Sequence, residues 1–143
     1  MKKIQIKQNH IVRLISFART FGRETESAKP LLNLVHLLTV VNIYGLEVLK
    51  FSHSWPNGLL PEVFDNIFQY ARNSHTHNAI YSAKQNFYKY EVKTTAGKQS
   101  VSYMAIDIWK VLPSSLKDLS VLVFPKYIKR YLLSEQKQNQ FST

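Results

Sequence analysis

The chain has 143 residues, 45% of them hydrophobic, which is enough for one globular domain with a buried core. It contains no cysteine, which excludes disulfide bonds and thiolate metal sites and suits a reducing intracellular compartment, the cytoplasm or the nucleus. The net charge of +10 favours a polyanionic partner, nucleic acid first and an anionic membrane surface second.

The N-terminal segment, from about residue 4 to residue 21, predicts an amphipathic helix. Its apolar residues follow helical spacing after Ile11, so one face is apolar and the other is basic. The apolar residues are Ile4, Ile11, Leu14, Ile15, Ala18 and Phe21. No acidic residue precedes Glu24, whereas six basic residues do: Lys2, Lys3, Lys7, Arg13, Arg19 and Arg23. The segment after this helix, "GRETESAKP", has the composition of a loop.

One long helix is predicted next, from about Leu31 to Phe51. Its apolar residues cover more than one face, which indicates a central position in the fold. Polar residues interrupt this stretch, so it is typical of a buried helix and not of a membrane span, and no membrane partner is expected. Gly45 and the Val40-Val41 pair are the points at which it would weaken. A tight turn at Pro56-Asn57-Gly58 and a short helix from about Pro61 follow.

Strands are predicted only in the C-terminal half of the chain. Residues 72–86 are polar and indicate a loop, and the residues on both sides of Ala96-Gly97-Lys98 alternate with period two, which favours a β-hairpin. "AIDIWKVLP" predicts a short helix that ends before Pro113, and "SSLKDLS" fits either a helical turn or a loop. "VFPKYIKRYLLSEQ" predicts a final amphipathic helix. We therefore expect a mainly α (α+β) fold of about four to five helices with one β-hairpin, in a single domain over 1–137 with a frayed tail at 138–143.

The sequence offers little catalytic chemistry. It has no phosphate-binding glycine loop, no His-Glu-x-x-His and no nucleophile elbow, and its nine acidic residues are scattered singly. His75 and His77 would face the same side of a strand and could supply two metal ligands, but zinc sites need three or four. A polar loop is the favoured interpretation, and we expect no metal, no cofactor and no enzymatic activity.

Aromatic residues alternate with lysines between residues 81 and 103. Tyr81, Phe87, Tyr88, Tyr90 and Tyr103 are interleaved with Lys84, Lys89, Lys93 and Lys98. Bases stacked on aromatic rings beside phosphate-binding lysines would use this pattern. A hairpin that packs one aromatic face on helices would use it as well, and this structural interpretation is favoured because alternating aromatic residues usually face a core.

Several segments together point to a family. These are "IQIKQNHIVRLI", the leucine-rich stretch that begins at "SAKPLLNLVHLL", "GLLPEVFDNIFQYA", "VKTTAGKQSVSYMAIDIWKVLPSSLKDL" and "FPKYIKRYLLSEQ". In this order they resemble the C-terminal region, downstream of the polymerase domain, of the reverse-transcriptase polyprotein of LINE-type, jockey-like non-LTR retrotransposons. The resemblance covers nearly the whole chain, and its most specific part is the "GK-S-SY–IW–LP–LK" run with the closing "KRYLL".

The chain departs from the family pattern at one motif. Where the family has His-x-Tyr-Asn-Thr-Arg, this chain has His75, Thr76, His77, Asn78, Ala79 and Ile80, so a cation is replaced by an apolar side chain at Ile80. The family's endonuclease and paired catalytic aspartates lie upstream of this region, so the resemblance implies a non-catalytic accessory module.

The resemblance implies two kinds of partner, RNA or DNA and the upstream reverse-transcriptase domain. The residues predicted to contact nucleic acid are Lys2, Lys3, Lys7, Arg13, Lys93, Lys98, Lys126, Lys129 and Arg130. The alternative is a structural or protein-interaction module from a decayed element copy, with no nucleic-acid role, whose exposed apolar surface marks a missing partner.

Overall fold

The computed structural model describes residues 1–15, 28–68 and 86–141, and within these ranges the secondary structure is helical. The α-helices are α1 (Lys2–Ile15), α2 (Lys29–Leu34), α3 (Val40–Ser54), α4 (Thr95–Lys98), α5 (Val101–Val111), α6 (Ser114–Lys117) and α7 (Phe124–Phe141). A single 3₁₀ turn spans Glu62–Phe64, where the sequence predicted a short helix. The mainly α class is therefore confirmed.

The chain packs as two compact units. The first comprises Met1–Leu46 and Ile128–Thr143, and the second comprises Glu47–Tyr127. Among the described residues, the buried apolar side chains of the first unit are Val12, Ala28, Leu32, Leu38 and Ile128.

The predicted long helix from Leu31 to Phe51 is wrong, because the chain leaves the helical path between α2 and α3. His36 has a φ of +53°, and the residues around it form a helix-ending loop in which the Leu37 amide donates to the Leu32 carbonyl and the His36 amide to the Asn33 carbonyl. This pair of hydrogen bonds around one left-handed residue is the Schellman motif, which usually has glycine at that position. The absence of a glycine explains why the sequence pattern did not reveal the break.

Glutamine side chains from outside this stretch stabilise the break. Gln5 of α1 accepts a hydrogen bond from the Val40 amide at 3.0 Å, and Gln8 donates to the Leu38 carbonyl at 2.7 Å. Gln136 of α7 accepts from the Thr39 amide at 3.0 Å and donates to the Leu37 carbonyl at 3.1 Å. Backbone groups freed by the interruption of a helix must find other partners, and here long polar side chains supply them.

The second unit has an aromatic core. The rings in contact, whether stacked, tilted or edge to face, belong to Phe51, His53, Trp55, Phe64, Phe68, Phe87, Trp109 and Phe124. Phe87 lies between Phe68 and Trp109, with centroid distances of 4.7 and 5.2 Å. The end of α3 reaches this cluster, and a left-handed Gly58 (φ +66°) then completes the predicted turn at 56–58. That turn is confirmed.

The predicted β-hairpin is wrong within the described residues. Residues 88–93 are extended without forming a strand, and the rest of the predicted hairpin is helical in α4 and α5. Two hydroxyl caps begin these helices: Thr94 Oγ1 accepts from the Gly97 amide at 3.1 Å, and Ser100 Oγ accepts from the Tyr103 amide at 3.3 Å. Capping by Thr and Ser favours helix starts, and this local signal outweighs the period-two pattern.

The buried side chains of α5 follow the helical period and not the period of two that the sequence suggested. Ala105, Ile106, Trp109 and Leu112 at its end are buried, which is the three-to-four-residue spacing of a helix. The helix ends at Val111, before Pro113 as predicted, and α6 fills the segment for which the sequence allowed either a turn or a loop. The final helix is confirmed as α7, with Pro125 in its first turn.

Candidate nucleic-acid interface

Helix α1 carries the first group of predicted nucleic-acid contacts. The side chains of Lys2, Lys3 and Lys7 are exposed, and that of Arg13 is half-buried. The helix has no acidic residue in its first turn or anywhere along its length. A positive surface without an intervening carboxylate is therefore available along this helix.

The amide residues of α1 face inwards. Gln5, Gln8 and Asn9 are half-buried and Val12 is buried, and Gln5 donates to both Gln8 and Asn9 at 2.8 Å. The apolar residues predicted to form one face of this helix are exposed where the structure describes them. The helix thus packs through a polar edge, and both its lysines and its isoleucines face solvent.

Helix α7 carries the second group. Lys126, Lys129 and Arg130 are exposed, while Phe124 and Ile128 are buried, as the predicted amphipathic pattern requires. Lys126 belongs to the second compact unit, and Lys129 and Arg130 belong to the first, together with the basic residues of α1. Burial raises the pKa of Tyr131, with the Glu135 carboxylate as the lesser cause.

Lys93 and Lys98, the remaining predicted contacts, are exposed in the second unit. The aromatic residues near them are occupied by the protein itself. Phe87 is buried in the core, and the half-buried ring of Tyr90 meets that of Tyr103 edge to face at 6.1 Å. Tyr90 Oη also lies 2.7 Å from Ser102 Oγ. These rings therefore pack within the protein, as the structural interpretation expected, although the hairpin of that interpretation is absent from the described residues.

Lys89 is held by neighbouring side chains. Its ammonium group lies 4.5 Å from the centroid of the Tyr103 ring and hydrogen-bonds the Asp107 carboxylate. The hydrogen bond to Asp107 is the main cause that raises the pKa of Lys89, and the interaction with Tyr103 adds to it. A lysine engaged in this way is less available to a phosphate group than the exposed Lys93 and Lys98.

His53 is a buried titratable group that was not among the site residues predicted from the sequence. Its ring stacks on Phe124 with a centroid distance of 3.8 Å, and its Nε2–H donates to the Leu119 carbonyl at 2.8 Å. Burial lowers the pKa of His53, and the carbonyls of Leu119 and Lys117 partly oppose that effect. His53 packs four residues after Leu49 on α3, and that spacing alone could have placed it in the core.

The six-residue family motif, with His75, His77, Asn78, Ala79 and Ile80, lies outside the described residues, so its part in a site stays a prediction. Within the described ranges, no three His, Asp or Glu side chains come together in a way that would hold a metal ion. None of the described helices has the length and the apolar character that crossing a membrane requires.

Comparisons with protein-family models, with curated proteins and with solved structures found no match for this chain.

Proposed function

We propose that this chain is a non-catalytic C-terminal region of a non-LTR retrotransposon reverse transcriptase, and that it binds RNA or DNA as an accessory module to the polymerase. The order of its motifs supports the family, and its positive charge supports the activity. The proposal gives the chain no catalytic residue, because the family's polymerase and endonuclease residues lie upstream of the region it resembles.

The exposed cations of α1 are the observation that carries the proposal. Lys2 and Lys3 stand in the first turn of the helix, where the helix dipole disfavours positive charge and acidic residues are preferred. These lysines therefore do not stabilise the helix. Phosphate groups are the ligands that would compensate several lysines on one helix without a local carboxylate.

The other predicted contacts are divided between the two units. Lys129 and Arg130 add to the first unit, and Lys93, Lys98 and Lys126 belong to the second. Contacts of this kind go to the sugar-phosphate backbone and carry no sequence information. We therefore expect binding with little sequence preference and with an affinity that falls steeply as salt rises.

The experiment is a fluorescence-anisotropy titration of labelled single-stranded RNA, single-stranded DNA and duplex DNA at several salt concentrations. The double variant Lys2→Gln/Lys7→Gln should weaken binding and lower the salt dependence by roughly 0.7–0.9 per lost phosphate contact. The matched control is Lys110→Gln/Lys137→Gln, which removes the same charge from two exposed lysines outside the predicted set.

The two variants separate specific contacts from bulk charge. If the control weakens binding as much as the α1 variant, net charge alone accounts for the affinity and α1 is not the interface. If no nucleic acid binds even at low salt, the nucleic-acid proposal fails. The alternative function, a structural or protein-interaction module, would then be the better account, and the exposed apolar residues of α1 favour it.

A further inference from the structure

Helix α1 exposes an unusual amount of apolar surface for its length. Five of its fourteen residues are large aliphatic side chains with exposed fractions between 53% and 67%: Ile4, Ile6, Ile11, Leu14 and Ile15. Ile4, Ile11 and Ile15 lie on one side of the helix and extend along about 16 Å of its axis. Scattered single apolar residues are normal on a surface, but an exposed row of three on one side of a short helix indicates a partner.

The helix cannot bury this row by turning about its axis. Gln5 and Gln8 of the same helix hydrogen-bond the backbone of Val40 and Leu38 and stabilise the break between α2 and α3. Rotation would break both bonds and leave those backbone groups without their partners. The exposure of the isoleucines is therefore fixed by the packing of the first unit.

The charge of α1 selects the chemistry of the partner. Lys3 and Lys7 are exposed near the apolar row, and the helix has no carboxylate. Nucleic acid would satisfy the lysines but leave the isoleucines in water. A second copy of this helix would cover the isoleucines but place lysines against lysines. A partner that is both apolar and anionic satisfies both groups at once.

We propose that α1 is an interfacial helix that binds an anionic lipid surface, a function beyond the nucleic-acid binding proposed above. The isoleucines enter the boundary between headgroups and acyl chains, and the lysines extend to the anionic headgroups, which is the arrangement of basic amphipathic helices at membranes. The sequence led us to expect no membrane partner because it has no spanning segment. A helix that lies in the interface spans nothing.

The test uses the full chain with phosphatidylcholine vesicles, with and without phosphatidylserine, in a co-sedimentation assay. Binding should require phosphatidylserine and should weaken with salt. The variant Ile4→Gln/Ile11→Gln/Ile15→Gln should reduce vesicle binding by roughly tenfold or more. Circular dichroism checks that the variant keeps its helices, as expected because the three side chains are exposed.

The matched control is Leu34→Gln/Val41→Gln/Leu122→Gln, which replaces three exposed apolar residues outside α1 and should bind vesicles like the original chain. The proposal is overturned if vesicles with phosphatidylserine are not bound, or if both triple variants lose binding alike. It is also overturned if sedimentation equilibrium shows a dimer that only the α1 triple variant abolishes, because the row then belongs to a second copy. The α1 triple variant keeps all the lysines, so its nucleic-acid affinity should not change, and the two proposals fail separately.

Discussion

At the scale of single residues, His53 shows how burial turns a titratable side chain into a pH-dependent element of stability. The ring is 3% exposed, stacks on Phe124 and donates to the Leu119 carbonyl, and this burial lowers its pKa and so favours the neutral form in the folded protein. In the unfolded chain the same ring takes up a proton near its ordinary pKa of 6.5.

We predict that the free energy of unfolding falls as the pH drops below about 6.5. The pKa of His53 is lowered in the folded protein, so the unfolded state binds more protons in this range and gains stability relative to the folded state. The contribution of the neutral His53 ring to stability is fully present above that pH. Urea titrations at several pH values measure it. In His53→Gln this fall should shrink, whereas the exposed His36→Gln should keep it; an unchanged slope in His53→Gln would contradict the assignment.

Two glycines that look alike in the sequence differ in what surrounds them. A Cβ added at Gly97 would lie 2.3 Å from Val92 Cγ1 and 3.0 Å from Thr94 Oγ1, whereas a Cβ at Gly45 would meet nothing within 4 Å. We predict that Gly97→Ala lowers the free energy of unfolding by about 1–3 kcal/mol through overpacking. Gly45→Ala, inside α3, should raise it by roughly 0.5–1 kcal/mol because alanine favours the helix. Thermal melts measure both variants. If both substitutions change stability in the same direction, the space around each glycine does not determine the effect.

At the scale of helices, Gln136 joins α7 to the break between α2 and α3. Its amide group accepts from the Thr39 amide and from Asn42 Nδ2, and donates to Asn33 Oδ1 at 2.6 Å and to the Leu37 carbonyl. The residue is 8% exposed, so water has little access to replace these bonds. One side chain thus satisfies four polar groups contributed by two helices and the loop between them.

We predict that Gln136→Ala lowers the free energy of unfolding by about 3 kcal/mol, because it removes four hydrogen bonds, one of them buried and three partly buried. The matched control is Gln138→Ala, the same substitution on an exposed residue of the same helix, which should change stability by less than about 0.5 kcal/mol. Chemical denaturation measures both variants. If the two substitutions cost the same, the four hydrogen bonds of Gln136 contribute nothing to stability.

At the scale of the whole molecule, the charge excess sets the response to salt. The chain carries 19 basic and 9 acidic residues, and a net charge of +10 repels itself most strongly in the compact state. We predict that sodium chloride raises the melting temperature at low ionic strength by screening this repulsion. The effect should shrink in Lys110→Glu/Lys137→Glu, which brings the net charge closer to zero. A melting temperature that is independent of salt in both proteins would contradict the prediction.

The sequence predicted those features that neighbouring residues determine. The mainly α class, the turn at 56–58, the end of α5 before Pro113 and the amphipathic helix α7 all follow from local spacing or from glycine and proline. The predicted hairpin failed because Thr94 and Ser100 are hydroxyl caps, a local signal that the alternating aromatic residues masked. The break at His36 was not predicted, for a different reason: Gln5, Gln8 and Gln136, which bond its backbone, lie far from it along the chain.

Some features of the candidate site could likewise be predicted from the sequence, and others could not. Exposure of the basic residues in α1 and α7 could be anticipated, because lysine is seldom buried. The burial of the α1 amides and the exposure of its isoleucines could not, because the reverse arrangement is the usual one for an amphipathic helix. Which lysines are already engaged, as Lys89 is by Asp107 and Tyr103, depends on tertiary packing and required the structure.

The glutamine bonds at the break have a consequence for the order of folding. Residues 31–51 have the local preferences of one continuous helix, and the side chains that interrupt it arrive from both ends of the chain. A peptide of residues 29–54 should therefore be helical through 35–39, as amide chemical shifts would show. In the full chain, we expect residues 35–39 to bend only when α1 and α7 dock against them. These residues should therefore be the last part of the first unit to reach their native conformation.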